Sequence, residues 1–282
     1  GDSRTRGFLL GATSGRTTLN GEGLQHEDGS SQVAASFVPN CCSYDPTYAY
    51  EVAVIIQDGL RRMLSEQEDV YYYITRLNEN YQHPAMPPGA RDGILRGMYL
   101  LHDAGKPDRK TPRVQLFGSG AILREVVAAS ELLANDWNVR SDVWGVTSFN
   151  ALQRDGVAAR RWNMLHPQEK ARLSFVEECL RDRSGPGIAA TDYIRTFAEQ
   201  IHPFVASSGS AQPRRYVALG TDGYGRSDFR RRLRAFFEVD RHFVTIAALR
   251  ALADEGTISP AAIEKAIKKY EIDPNKPNPI DV

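Results

Sequence analysis

Val114-Gln115-Leu116-Phe117-Gly118-Ser119-Gly120, followed by Ile122, Val126, Val127 and Leu133 at helical spacing, reads as a strand, a tight turn and a helix. The same alternation continues downstream. Asp142–Val146 is a strand and is followed by a helical stretch to about Trp162; residues 173–181 are helical and Gly187–Ala190 is a short strand. A helix carrying Ile194, Phe197, Ala198 and Ile201 is expected to stop at Pro203. Strand Tyr216–Leu219 leads into helices near 228–237 and 240–253, and Ser259-Pro260 caps a last helix with Ile263 and Ile267 inward. Strands alternating with helices predict a doubly wound α/β domain.

Upstream, the pattern repeats in smaller form. Phe37–Tyr44 is a strand candidate, and Asp45-Pro46 reads as a helix cap followed by proline at the first helical position. Tyr48, Val52, Ile55, Ile56, Gly59, Leu60 and Met63 form one helix stripe, and Val70–Ile74 is a buried strand. Strand, helix, strand is the parallel crossover unit. Between the two regions, Pro84, Pro87, Pro88, Pro107 and Pro112 mark a linker. The expected division is therefore 1–88, a linker at 89–111, and 112–282. Two good strands are too few for an open parallel sheet of usual size. The first region is either an add-on to the second or the end of something longer.

Composition narrows the function classes. The 282 residues carry 35 basic and 35 acidic side chains, which cancel and leave no global footprint for nucleic acid or an anionic membrane. No apolar run approaches the roughly 20 residues of a membrane helix. Gly1 to Arg6 lack a signal peptide's layout. Three cysteines, two of them adjacent at 41 and 42, make no disulfide framework, so a reducing cytoplasm is expected.

The most informative stretch has no period at all: Arg16-Thr17-Thr18-Leu19-Asn20-Gly21-Glu22-Gly23-Leu24-Gln25-His26-Glu27-Asp28-Gly29. It gathers carboxylates and one imidazole on a glycine-loosened backbone that can pass close to a ligand. Histidine titrates near neutral pH and can donate to an anion, and a nearby carboxylate can hold its tautomer. A solvated or disordered polar loop is the competing reading of the same residues.

This run, from Gly15 to Gly29, resembles the homodimeric, bacterial-type pyruvate dehydrogenase family of thiamine-diphosphate enzymes, with transketolases as more distant relatives. So do Tyr44-Asp45-Pro46, Tyr72-Tyr73-Ile74-Thr75, Leu77-Asn78-Glu79-Asn80-Tyr81, Arg161 through Pro167, and Leu219 through Asp228. One departure is Ser30, where the family usually has histidine. The resemblance implies a partial pyrimidine-binding domain followed by a transketolase-type C-terminal α/β domain. It also implies oxidative decarboxylation of pyruvate with thiamine diphosphate and magnesium, a homodimer, and a dihydrolipoyl acetyltransferase partner that takes the acetyl group. The metal-binding Gly-Asp-Gly motif is not found, and the family's cofactor-protonating glutamate aligns ahead of Gly1. Metal and diphosphate are therefore expected on sequence outside this chain. The Glu22-Gly-Leu-Gln-His26 spacing matches the transketolase loop. It implies that His26 and Glu22 are the catalytic pair here, with Gln25, Glu27 and Asp28 supporting substrate and loop. Two alternatives stay open: a non-catalytic assembly module, and a transketolase-like enzyme with another substrate.

Other candidates read as structural. The third glycine position of a dinucleotide fingerprint after Gly118-Ser119-Gly120 is Leu123, so this is a strand-to-helix turn. Arg230, Arg231, Arg232 and Arg234 read as a solvated helix face, with an acidic partner as alternative. Cys41 and Cys42 fit no metal spacing and are expected at a strand; His83, His166 and His202 suggest no chemistry. Thr221-Asp222-Gly223-Tyr224-Gly225 is expected to be a subunit-packing or site-rim turn.

Overall fold

A computed structural model describes residues 2–12, 14–106, 111–209 and 212–282. The first region builds a three-stranded parallel sheet, in the order β1 (Phe8–Gly11), β3 (Tyr71–Thr75), β2 (Cys41–Tyr44). Between β1 and β2 lie the long loop and a short helix, α1 (Ser31–Ala35). The crossover helix α2 (Ala49–Leu60) runs on into a π turn and buries Val54 and Ile55 against Tyr72 and Ile74. The cap of α2 differs from expectation. Glu51 Oε2 accepts the Thr47 and Tyr48 N–H groups, as in a capping box. Asp45 instead points its carboxylate at Thr75 Oγ1, 2.7 Å away.

The stretch expected as linker carries regular structure. Helix α3 (Ala90–Arg96) closes on Gly97 at φ 114°, and β4 (Met98–His102) follows. Prolines 84, 87 and 88 all precede α3, and Ile94 and Met98 are fully buried, so packing overrides the punctuation. Residues 107–110 of that stretch lie outside the described residues.

The second region is a five-stranded sheet in the order β4, β6 (Arg140–Val146), β5 (Arg113–Gly118), β7 (Gly187–Ala190), β8 (Tyr216–Leu219). All pairings are parallel except that of β4 with β6, an antiparallel edge. One face is covered by α4 (Leu123–Trp137), which packs Val126, Ala129 and Leu133 on Val114, Leu116 and Val143. The other is covered by α5 (Phe149–Leu165), α6 (Phe175–Leu180), α7 (Thr196–Glu199) and α8 (His202–Ser207), around Phe117, Phe149 and Phe197. Pro203 does not end a helix as expected. It sits in the first turn of α8, where its missing N–H costs nothing. The chain finishes with α9 (Arg230–Phe236), α10 (Arg241–Asp254) and α11 (Ala261–Lys269).

The two sheets meet at the C-terminal ends of their strands. Asp45 N donates to Thr147 O at 2.7 Å and Gly120 N donates to Asp45 O at 3.2 Å. Gly120 has φ 50°, and a side chain there would strike the Asp45 carboxylate, so the turn after β5 is shaped to receive that residue. In a doubly wound sheet the point where strand order reverses, here between β5 and β7, is the usual ligand crevice. Here the first region fills it.

Candidate functional site

The loop between β1 and α1 is an ordered arm, closed at its base by a bridge between Gly15 and Asp28. Its first limb lies on the end of β7. Arg16 N donates to Asp192 O and Thr17 N to Asp192 Oδ2, both at 3.3 Å, and Thr17 and Thr18 are fully buried. The Arg16 guanidinium reaches across to the carbonyls of Thr221 and Gly223. The tip is held by α9: Arg230 Nε donates to Thr18 O at 2.6 Å, and Arg230 N donates to Asn20 Oδ1 at 3.1 Å. Gly21 N donates to Asp228 O at 3.0 Å.

Between these ties the backbone makes one 3-10 turn, Leu24–His26. His26 Nδ1 lies 3.1 Å from Glu22 Oε1, and the His26 side chain is 61% exposed. Glu22 Oε1 also accepts the Gly23 N–H, and this bond, more than His26, holds its carboxyl below the ordinary glutamate range. Of the residues picked from the sequence, His26 and Glu22 thus come together. Gln25 is exposed on the same turn. Glu27 faces the other way: it is 7% exposed and its Oε2 accepts the Arg226 N–H. Burial pushes the Glu27 carboxyl up, against the pull of that N–H and of Arg16. Asp28 turns to the start of α1, where Oδ1 accepts the N–H groups of Ser30 and Ser31 at 3.1 and 2.9 Å. Ser30, the family departure, is exposed.

Beneath the arm lies a polar layer that sequence reasoning missed. Burial raises the carboxyls of Asp45 to about 6 and Asp192 to about 7. Asp45 Oδ2, Asp192 Oδ1, Gln32 Oε1, Tyr193 OH and Arg16 Nε are buried without a hydrogen-bond partner among the described residues. The arginine cluster also differs from expectation. Arg234 is 5% exposed and is paired with Glu79 and Glu125, while Arg230 holds the arm; only Arg231 and Arg232 face solvent. A four-residue spacing puts 230 and 234 on one helix face, which is the signal that could have separated them.

Two other features bear on ligands. A cavity of about 580 Å³ lies at the opposite end of the sheet, near Arg181, Arg214 and Asp254. Arg214 spends its donors there on the carbonyls of Leu180, Arg183 and Gly185, so it braces loops. Among the described residues no three His, Cys, Asp or Glu side chains are placed to hold a metal ion, and no helix is long and apolar enough to cross a membrane.

Comparison with known proteins places this geometry. The pyruvate dehydrogenase E1 component middle domain matches residues 1–84, and the transketolase-like C-terminal domain matches residues 97–240, half of the chain. The chain belongs to the transketolase-like family through its C-terminal domain. It is 60% identical over 281 residues to the pyruvate dehydrogenase E1 component of Cupriavidus necator, and 59% identical over 281 to that of Pseudomonas aeruginosa. Each match covers 100% of this chain but only 30% and 31% of those relatives, so the chain spans about a third of their length. A solved transketolase variant from Pichia stipitis superposes with TM-score 0.60 at 14% identity, covering 87% of this chain and 30% of that one. That likeness shows the transketolase-like fold.

Proposed function

We propose that the chain works as part of a pyruvate dehydrogenase, acting on pyruvate with thiamine diphosphate in a homodimer that serves a dihydrolipoyl acetyltransferase in the cytoplasm. The observation that supports this best is the pinned arm that leaves one imidazole, His26, exposed and held at Nδ1 by Glu22. When bound, thiamine diphosphate supplies the carbon nucleophile and the electron sink. This chain fits one part of such a site: an exposed hydrogen-bond donor on a rigid turn. It does not fit magnesium, since among the described residues no three His, Cys, Asp or Glu side chains are placed to hold a metal ion.

His26 acts on the substrate. When the ring carries both protons, Glu22 meets Nδ1–H and Nε2–H is left to donate to an oxygen of the bound 2-oxo acid. A hydrogen bond to a charged group contributes about 1.5–3 kcal/mol, so its loss slows the step roughly ten- to a hundredfold. Glu22 fixes the ring, and the ties of Arg16, Asn20 and Gly21 to the C-terminal region keep the turn from drifting.

The test is complementation. The 282-residue chain mixed with thiamine diphosphate, magnesium and pyruvate is expected to release no carbon dioxide. Adding the remaining polypeptide of a full-length relative in trans is expected to restore release. Turnover by the chain alone would contradict the division of labour. Failure to restore it, with both parts folded, would favour a non-catalytic assembly module.

A further inference from the structure

We propose that Glu27 and Gly225 form a positioning pair that sets the place of His26 from the far side of the arm. This rests on the catalytic reading of His26 given above. Glu27 follows His26 directly, and its N–H closes the 3-10 turn on Leu24 O at 3.2 Å. Its side chain is 7% exposed and runs under the turn 223–226, where the carboxylate accepts Arg226 N–H. Gly225 lies against the whole side chain: a Cβ there would fall 2.6 Å from Glu27 Oε2 and 2.8 Å from Glu27 Cβ. The carboxylate end could swing aside, but Cβ moves only with the backbone, and the backbone at 27 carries residue 26 with it. Gly225 is not in the left-handed region, so an alanine there meets no strain of its own.

The opposite limb explains why displacement would concentrate at His26. Arg16 is fixed to Thr221 and Gly223, the same turn, and Asp28 is fixed to the start of α1. Residues before and after the 3-10 turn are held, and Glu27 is the contact that sets its height. The glycine at 225 is therefore a fitted surface, set by a residue 198 positions away in sequence.

A double-mutant cycle in the full-length enzyme tests this, with two readouts: kcat/KM for pyruvate, and hydrogen exchange of the amides at 23–28. Gly225→Ala is expected to lower kcat/KM about tenfold and to speed exchange at 23–28, because small displacements of a positioned group carry costs of that order. In a Glu27→Gly background, Gly225→Ala is expected to add less than about twofold, since both Cβ and the carboxylate it strikes are gone. Glu27→Gln keeps length and acceptor, so it should stay within about threefold of the parent and remain sensitive to Gly225→Ala. Unchanged kcat/KM and exchange in Gly225→Ala, or effects of Glu27→Gly and Gly225→Ala that simply multiply, would overturn the pairing. His26→Ala separates the two ideas. If it is silent on turnover, the catalytic reading fails, while the exchange data still judge the pair.

Discussion

The five-stranded sheet and the arm at 15–29 are both well ordered, for opposite reasons. Every residue of β5 is buried, and its neighbours β6 and β7 supply Val143 and Ile188 at full burial. That order comes from apolar side chains at regular spacing. The arm has no such spacing. Its order comes from single polar ties to partners far along the chain, such as Arg16 to Gly223 and Arg230 to Thr18, 207 and 212 positions apart. Burial of apolar surface sets global stability, whereas polar ties in a loop set where one ring stands.

The largest expected effect lies where the two kinds of order meet. Arg234 is a buried cation between Glu79 and Glu125, and it also donates to Thr17 at the base of the arm at 3.2 Å. Arg234→Ala removes the buried cation that Glu79 and Glu125 share, leaving them Arg124 and Arg241, and should cost about 3 kcal/mol or more in urea unfolding. A loss under about 1 kcal/mol would mean the ties contribute little to the fold. Ile188→Ala in β7 should cost about 2–5 kcal/mol while amide exchange in the arm stays unchanged. A matching loss of protection at 15–29 would erase the distinction between the two regions.

The polar layer under the arm yields a pH prediction. The Asp192 carboxyl stands at about 7 in the folded protein, chiefly through burial, against about 3.9 for a free aspartate. A raised carboxyl holds its proton more tightly when folded. Its stabilising contribution is complete below pH ~4 and is lost as pH rises through ~7. Asp192→Asn removes this dependence. The variant should gain on the parent by up to about 1.4 kcal/mol per pH unit across that window, read from melts at several pH values. A constant difference would show that Asp192 is ionised throughout. Asn20→Ala, which removes an exposed acceptor for Arg230 N–H, should cost less than about 1 kcal/mol of stability and show mainly as faster exchange at the tip.

These differences also explain what could be read in advance. The alternation from Val114 to Leu219 was legible because buried strands and helices write their period into local sequence. Strand β1 was missed because Leu9 and Leu10 are exposed on a sheet edge and give no alternation. Helix α3 and β4 were missed because the prolines before them look like linker while Ile94 and Met98 pack inward. Glu22 and His26 were singled out through the resemblance of their loop to that of transketolases, and the structure brings them to 3.1 Å. Asp192, Gly225 and Arg230 were not, because nothing beside them in sequence announces a partner about 200 residues upstream. Polar contacts of that range exist only once the sheet has placed both ends.

The most direct test is His26→Ala in the full-length enzyme, with turnover of pyruvate and binding of a phosphonate analogue of pyruvate measured together. The account predicts a ten- to hundredfold fall in kcat/KM, about 1.5–3 kcal/mol, with weaker analogue binding and an unchanged melting temperature. Unchanged turnover and unchanged analogue binding would contradict it.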